Sequence, residues 1–389
     1  MPTNRPATAA PVIVIAPDSF KGSLTARQVA DAIGRGVRQA IPDARLHFCP
    51  IADGGEGTLD AMLQAGGKTQ MITLRDAGGR LREAPVAILP NSTAVIESAE
   101  IVGITDSHGM ALPVGNRSTE GIGDAIRILL DQGIRSFLIA LGGSSTNDGG
   151  AGMLCALGLK LYDAAGALLP CGPAALQKLA RIDTSGLDSR LAEVSITGMS
   201  DVDNPLCGDK GASAVFGPQK GVQPEQIALF DQALAHFAAL LEAATGRQAA
   251  TVAGAGAAGG LGYALLMLGA QLESGAETVC RHIGLDAYLQ NADWLITGEG
   301  RSDTQTLHGK APFVAARHAR SFGVDSTILS GAIDQQALTA LQQHFTGCFS
   351  IVLGPVSLAQ AIAEADQLLQ ASAWQIAAIW QAGRSHDSH

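Results

Sequence analysis

The sequence predicts an open α/β domain built from both ends of the chain, with the middle of the chain inserted as a second α/β domain. Three observations carry this expectation. Near the start, a β-branched run at residues 11–17 (PVIVIAP) and a second run at 46–52 (LHFCPIA) each lead through a polar loop into a segment of helical periodicity, 25–41 and 58–64. Two successive strand–helix units imply parallel pairing, because a parallel pair needs a crossover long enough to hold a helix. From about residue 69 the texture changes to short alternating pieces broken by Gly, Pro and Asn, and after residue 292 the strand–helix rhythm returns. We therefore place one domain at 1–75 with 282–389 and the inserted domain at 76–281.

The remaining elements follow in order. The pieces MITLRD, APVAILP and TAVIES alternate in polarity and suit antiparallel or mixed strands. A helix is expected over 119–132, a strand at 136–141 (SFLIAL) and a long helix over 224–245. In the closing part the run 294–298 (WLITG), then 326–332 and 348–353, read as strands, each followed by a helix. Residues 1–11, polar and rich in Pro and Ala, read as a disordered tail without the apolar region of a signal peptide.

Composition removes several classes of function. The chain has 389 residues, 47% hydrophobic and 16% charged, with net charge -10, which argues against a general polyanion binder and leaves no nucleic-acid partner expected. Six scattered Cys form no C-x-x-C pair, so a reducing, cytoplasmic setting fits best. Residues 248–272 carry no charge, but the first half is mostly Gly and Ala, and no membrane partner is expected.

Ligands of an open parallel sheet bind beyond the carboxyl ends of its strands. The Gly-rich loops PDSFKGS, ADGGEG and TGEGRSDTQTLHGK fall there, and the insert adds LGGSSTNDGG and the stretch 198–221. One such loop is ordinary turn chemistry. Several of them, carrying Lys21, Asp53, Glu56, Glu299, Arg301, Asp303 and Lys310, supply what phosphoryl transfer needs: backbone amides near phosphates, cations, and carboxylates for Mg²⁺ and a hydroxyl proton. The P-loop pattern is absent, since Gly309-Lys310 is followed by Ala311 and Thr304 stands where the first Gly belongs. Gly254, Gly256 and Gly259 match the spacing of a dinucleotide fingerprint, which keeps an NAD-dependent oxidoreductase of a small hydroxy acid as the alternative; a non-enzymatic two-domain binding protein is a third reading.

Taken together, the segments 15–26 (IAPDSFKGSLTA), 50–58, 141–154, 204–221, 253–262 and 296–312 closely resemble the bacterial glycerate kinases of glyoxylate and sugar-acid metabolism, over nearly the whole chain. The resemblance implies a discontinuous flavodoxin-like domain with an inserted α/β domain, a site in the cleft between them, and phosphorylation of D-glycerate to 2-phosphoglycerate by ATP with Mg²⁺. A homodimer is a candidate assembly. On this reading Asp201 is the general base, with Lys21 and Arg301 as catalytic cations. Asp18, Ser19, Gly54, Gly55, Ser144, Asn147, Asn204, Glu299 and Lys310 bind substrate or phosphate, and Asp53, Glu56, Asp148 and Asp303 hold the metal; the division between metal ligands and substrate contacts stays open. Ser200 precedes Asp201 where the family often has Cys.

Overall fold

The computed structural model describes residues 10–64 and 66–386, so the expected tail at 1–11 lies almost wholly outside the described residues. Strands β1 (Val12–Ile15) and β2 (Arg45–Phe48) open the chain, followed by β3 (Lys68–Arg75), β4 (Leu81–Ile88) and β5 (Thr93–Glu97). The middle holds β6 (Ser136–Ala140), β7 (Lys160–Tyr162), β8 (Arg181–Asp183), β9 (Ser195–Met199) and β10 (Gln271–Glu273). The end holds β11 (Trp294–Ser302), β12 (Asp325–Ile333) and β13 (Gly347–Ser350). The described chain divides into two compact units, one of residues 10–53, 60–64 and 275–386, the other of 54–59 and 66–274.

The first unit is a five-stranded, all-parallel sheet in the order β13-β12-β11-β1-β2. Counted by appearance within the unit this is 2-1-3-4-5 read backwards, the flavodoxin-like order, so the expected fold class is observed. The helix Ala26–Ala40 covers one face because Thr25 caps it: its hydroxyl receives the Gln28 amide and Gln28 returns a bond to the Thr25 amide. Val29, Ala30, Ile33 and Val37 recur at helical spacing and pack with Leu369, Ala373 and Ala377 of the last helix, Ala365–His386. Gly36 is needed for that approach, since a Cβ there would lie 2.2 Å from the Gln370 carbonyl oxygen.

The second unit carries a six-stranded sheet in the order β10-β9-β6-β5-β4-β3, with the first four strands parallel and the last two antiparallel. Glu97, Ala140, Met199 and Glu273 stand in register, so the loops after β5, β6, β9 and β10 leave one edge. The helix Pro224–Thr245 is long and apolar enough to cross a membrane by length and composition. Its face of Ala233, Leu234, Phe237, Ala238 and Leu241 is buried in the core of the second unit.

Three boundaries differ from the sequence expectation: residues 275–281, expected in the insert, group with the first unit, and the other two lie near the start of the insert. Strand β3 joins the second unit, because all eight of its residues pair antiparallel with β4. Residues 54–59 join it too: buried Glu97 accepts the amides of Gly57 (3.1 Å) and Leu59 (2.8 Å), and the Gly54 carbonyl accepts the Gly142 amide (3.0 Å).

Candidate active site

In the first unit, strand order reverses between β1 and β11, and the crevice beyond their carboxyl ends is where such sheets take ligands. A cavity of about 750 Å³ lies there, lined by Asp18, Ser19, Lys21, Asp53, Glu299, Arg301, Asp303 and Lys310, all residues expected from the sequence to handle substrate, phosphate or metal. The opposite wall is apolar, formed by Ile333, Ile351, Val352, Val356, Leu358 and Ile362. Those apolar residues and Asp334 were not anticipated, since isolated apolar residues at the end of β12 and after β13 carry no motif.

Each charged group has an identifiable support. Asp18 follows β1; its amide donates to the Gly298 carbonyl (2.8 Å) and its Oδ1 accepts the Ser19 amide (2.6 Å). It is 5% exposed, and burial together with the neighbouring carboxylate of Asp53 holds its pKa well above the usual carboxylate range, with Glu299 adding and Lys21 opposing. Lys21 sits at the exposed tip of a tight turn closed by hydrogen bonds between Phe20 and Leu24, with Gly22 at φ +75°.

Glu299 and Arg301 were expected on a loop after residue 298, but they belong to strand β11, paired with Ser330 and Ala332 of β12. The strand runs on because glycine lets the two backbones close up: a Cβ on Gly298 would lie 2.1 Å from the Leu329 oxygen, and one on Gly331 2.4 Å from the Gly300 oxygen. Two residues apart on a strand, Glu299 and Arg301 share a face. Glu299 Oε1 accepts the hydroxyls of Thr306 (2.6 Å) and Ser302 (2.9 Å), and Lys310 Nζ lies 3.4 Å from Oε2. Burial raises its pKa, opposed by Lys310 and the two hydroxyls. Lys310 also lies 3.6 Å from Asp303, which caps the short helix Thr304–His308 by accepting the Gln305 amide. Arg301 is largely exposed, 3.5 Å from Asp334.

The second unit presents its expected residues on the loops after β6 and β9. Asn147 Nδ2 donates to Ser213 Oγ (2.9 Å), while its buried Oδ1 has no hydrogen-bond partner. Asp201 is exposed, two residues beyond the end of β9, and the preceding Ser200 amide donates to the Glu273 carbonyl. Asn204 bonds the Lys210 carbonyl through Nδ2 (2.8 Å). Gly54 and Gly55 face the backbone of Gly142, where a Cβ would lie 2.5 Å from the Gly55 Cα, and Glu56 is exposed.

The metal expectation at Asp148 meets a different arrangement. Its carboxylate accepts four protein donors: the Thr119 amide and hydroxyl, both at 2.8 Å, and the amides of Gly150 (3.0 Å) and Gly152 (3.2 Å). Three of these donors crowd Oδ2 and one reaches Oδ1, so Asp148 already holds two backbone segments together, the Thr119 turn and the start of the helix after Gly150. Among the described residues the grouping with metal-ligand geometry is Asp76, Asp106 and His108, but the Asp76 oxygens are taken by the amides of Gly78 and Arg80 and by the Arg80 guanidinium.

The fingerprint-like glycines follow turns and not a strand, and they approach backbone of their own unit. A Cβ on Gly256 would lie 2.4 Å from the Pro205 oxygen and one on Gly259 2.1 Å from the Thr146 oxygen. The oxidoreductase alternative therefore has no support, because a dinucleotide loop needs a strand before it and open space over its glycines. Lys220, Arg117 and Glu97 were also missed; Lys220 lies inside the segment 204–221 as one of two Lys in a Gly-rich run.

The fold and this site define an α/β enzyme of the open parallel-sheet class. The chain belongs to the glycerate kinase family, which matches residues 13–381. It is 42% identical over 374 residues to a glycerate kinase of Bacillus subtilis (strain 168), covering 94% of this chain and 97% of that one. It is 39% identical over 369 residues to glycerate 2-kinase of Escherichia coli (strain K12), covering 92% and 96%. A crystal structure described as glycerate kinase 2 from Salmonella typhimurium LT2 superposes with TM-score 0.84 at 40% identity, covering 97% of this chain and all of the other.

Proposed function

We propose that this protein transfers the terminal phosphoryl group of ATP to D-glycerate, with Mg²⁺, giving 2-phosphoglycerate. The observation that carries this is the switch-point cavity, where five carboxylates, Asp18, Asp53, Glu299, Asp303 and Asp334, meet the cations Lys21, Arg301 and Lys310 beside apolar side chains. The apolar side chains suit the base of a nucleotide and the cations suit its phosphates.

The carboxylates fit a hard divalent cation. They offer oxygen donors, and Asp53 and Glu299 both push the pKa of Asp18 upward, a repulsion that a cation relieves. We assign Asp18 and Asp53 to Mg²⁺, which when bound would offset charge on the β- and γ-phosphates. Lys310, steadied by Glu299 and Asp303, and Lys21, on its glycine-supported turn, bind phosphate oxygens and keep the transferring group in place. Asp201, beyond β9, is our assignment for the base that accepts the glycerate hydroxyl proton. Ser144 and Asn147 bind the acid.

A coupled assay for ADP release tests the reading. ADP should form only when ATP, Mg²⁺ and D-glycerate are all present, and Asp201→Asn should lower kcat by about 10²–10⁴-fold, the usual contribution of a general base. ADP release independent of glycerate would contradict the proposed acceptor, and near-normal kcat in Asp201→Asn would remove that residue as the base.

A further inference from the structure

Lys220 is a cation in an unusual place. It closes the short helix Pro218–Lys220 and is 2% exposed. Its ammonium donates to Ser144 Oγ (2.9 Å) and to the Thr146 carbonyl (2.7 Å), and among the described residues no carboxylate lies within salt-bridge distance of it. The charged groups facing it are Asp148, on the loop after β6, and Arg117, ahead of the helix Glu120–Asp131. Arg117 is itself 3% exposed; its Nη1 donates to the Lys220 carbonyl (2.8 Å) and the Ser145 carbonyl (3.2 Å). Two buried cations thus stand against one carboxylate that is itself committed to the Thr119, Gly150 and Gly152 donors. Buried charge left in surplus is costly unless a counter-charge arrives.

The Ser144 backbone is fixed independently. Gly103 and Ser144 form a β-bridge, the Gly143 carbonyl accepts the Ile104 amide (2.8 Å), and the Ser145 amide and hydroxyl both donate to the Val102 carbonyl (2.8 and 2.9 Å). What remains to be set is the direction of the Ser144 hydroxyl proton. A protonated Lys220 uses Ser144 Oγ as an acceptor, so the Ser144 O–H must donate to something else. A neutral Lys220 can accept, drawing that proton inward. Next in the chain, the buried Thr146 Oγ1 and Asn147 Oδ1 have no hydrogen-bond partner, so this segment holds polar capacity that the protein does not use.

We propose that Lys220 is a positioning residue for the acceptor acid: its ammonium holds Ser144 in the donor state that receives the carboxylate of a small hydroxy acid. The inference rests on the glycerate reading of this loop. Its support from electrostatics is that burial pushes Lys220 down to about 7, with Arg117 acting the same way and Asp148 opposing, so the donor state changes within the physiological range.

The test is steady-state kinetics with D-glycerate and ATP from pH 6 to 9, alongside calorimetric titration of D-glycerate. Lys220→Met should raise the KM and Kd for D-glycerate about 10- to 100-fold, the scale of one charge-assisted hydrogen bond, with the KM for ATP changed less than threefold. In the unmodified enzyme glycerate affinity should weaken as pH rises through about 7, the side on which the ammonium is lost; this arm needs no variant and stands even if Lys220→Met does not fold. Ser144→Ala should flatten the pH profile at weakened affinity. A pH-independent glycerate Kd in the unmodified enzyme, or a folded Lys220→Met with unchanged glycerate KM, would overturn the inference while leaving the kinase reading intact. Absence of any glycerate-dependent ADP from the unmodified enzyme would instead remove the reading beneath it.

Discussion

Asp18→Asn should make this protein more stable and disable it. Asp18 is 5% exposed, and both its burial and the charges of Asp53 and Glu299 oppose its ionisation. Asn keeps the shape and keeps Oδ1 as acceptor for the Ser19 amide, so the substitution removes a disfavoured buried charge and no packing. Relief of this kind at a functional site is worth roughly 0.5–2 kcal/mol. At about 2–4 °C per kcal/mol for a unit of this size, the melting temperature should rise by about 1–8 °C. The sign also follows from linkage. The folded-state pKa of Asp18 lies above its unfolded value, so in the window between the two the folded chain binds more protons. Stability due to this group is therefore present at low pH and is lost as pH rises through that window. Melting curves of both proteins from pH 4 to 8 should converge at the acid end and separate toward neutrality, with the variant higher. Turnover should fall at least ~10²-fold. A variant that melts lower at pH 7, or that melts higher yet retains turnover, would refute the reasoning that Asp18 is a carboxylate held against its preference for catalysis.

Other consequences separate structural from chemical residues. Asp148→Asn can keep an oxygen for the three donors on Oδ2 but turns an NH₂ toward the Gly150 amide, and should cost about 1–3 kcal/mol of stability; denaturant unfolding measures this. Gly259→Ala should lose about 3 kcal/mol or more by the same measurement, with ~1–2 from its φ of +69° and the rest from a Cβ placed 2.1 Å from the Thr146 oxygen. Lys310→Met should reduce kcat by about 10²-fold or more and also lower the unfolding midpoint, because buried Glu299 loses the ammonium that offsets its charge while keeping its bonds from Ser302 and Thr306.

What could be read in the sequence was local. The capped helix after Thr25, the buried runs at 11–17 and 294–298, and the phase of the helix Pro224–Thr245 are each written in neighbouring residues, and they suffice for a parallel sheet closed by both chain ends. The cavity residues were legible for a related reason: charged side chains among glycines, directly after strands, mark the carboxyl edge of such a sheet. What escaped depends on partners distant in sequence. Glu299 and Arg301 are strand residues only because Gly298 and Gly331 let two backbones meet. Residues 54–59 group with the second unit because Glu97, some forty positions on, collects their amides. Lys220 gains its interest only from contact with a loop over seventy residues earlier, and the Asp148 carboxylate is engaged by Thr119, some thirty positions before it. Spacing within a motif carries none of these pairings.

The most direct test of the central claim is phosphorus NMR of the unmodified protein incubated with ATP, Mg²⁺ and D-glycerate. The account predicts stoichiometric ADP and a phosphomonoester coupled to the single proton on C2, which is 2-phosphoglycerate. A phosphorus signal coupled to the C3 methylene protons would contradict the proposed position of transfer, and ATP left intact beside unphosphorylated D-glycerate would contradict the proposed reaction itself.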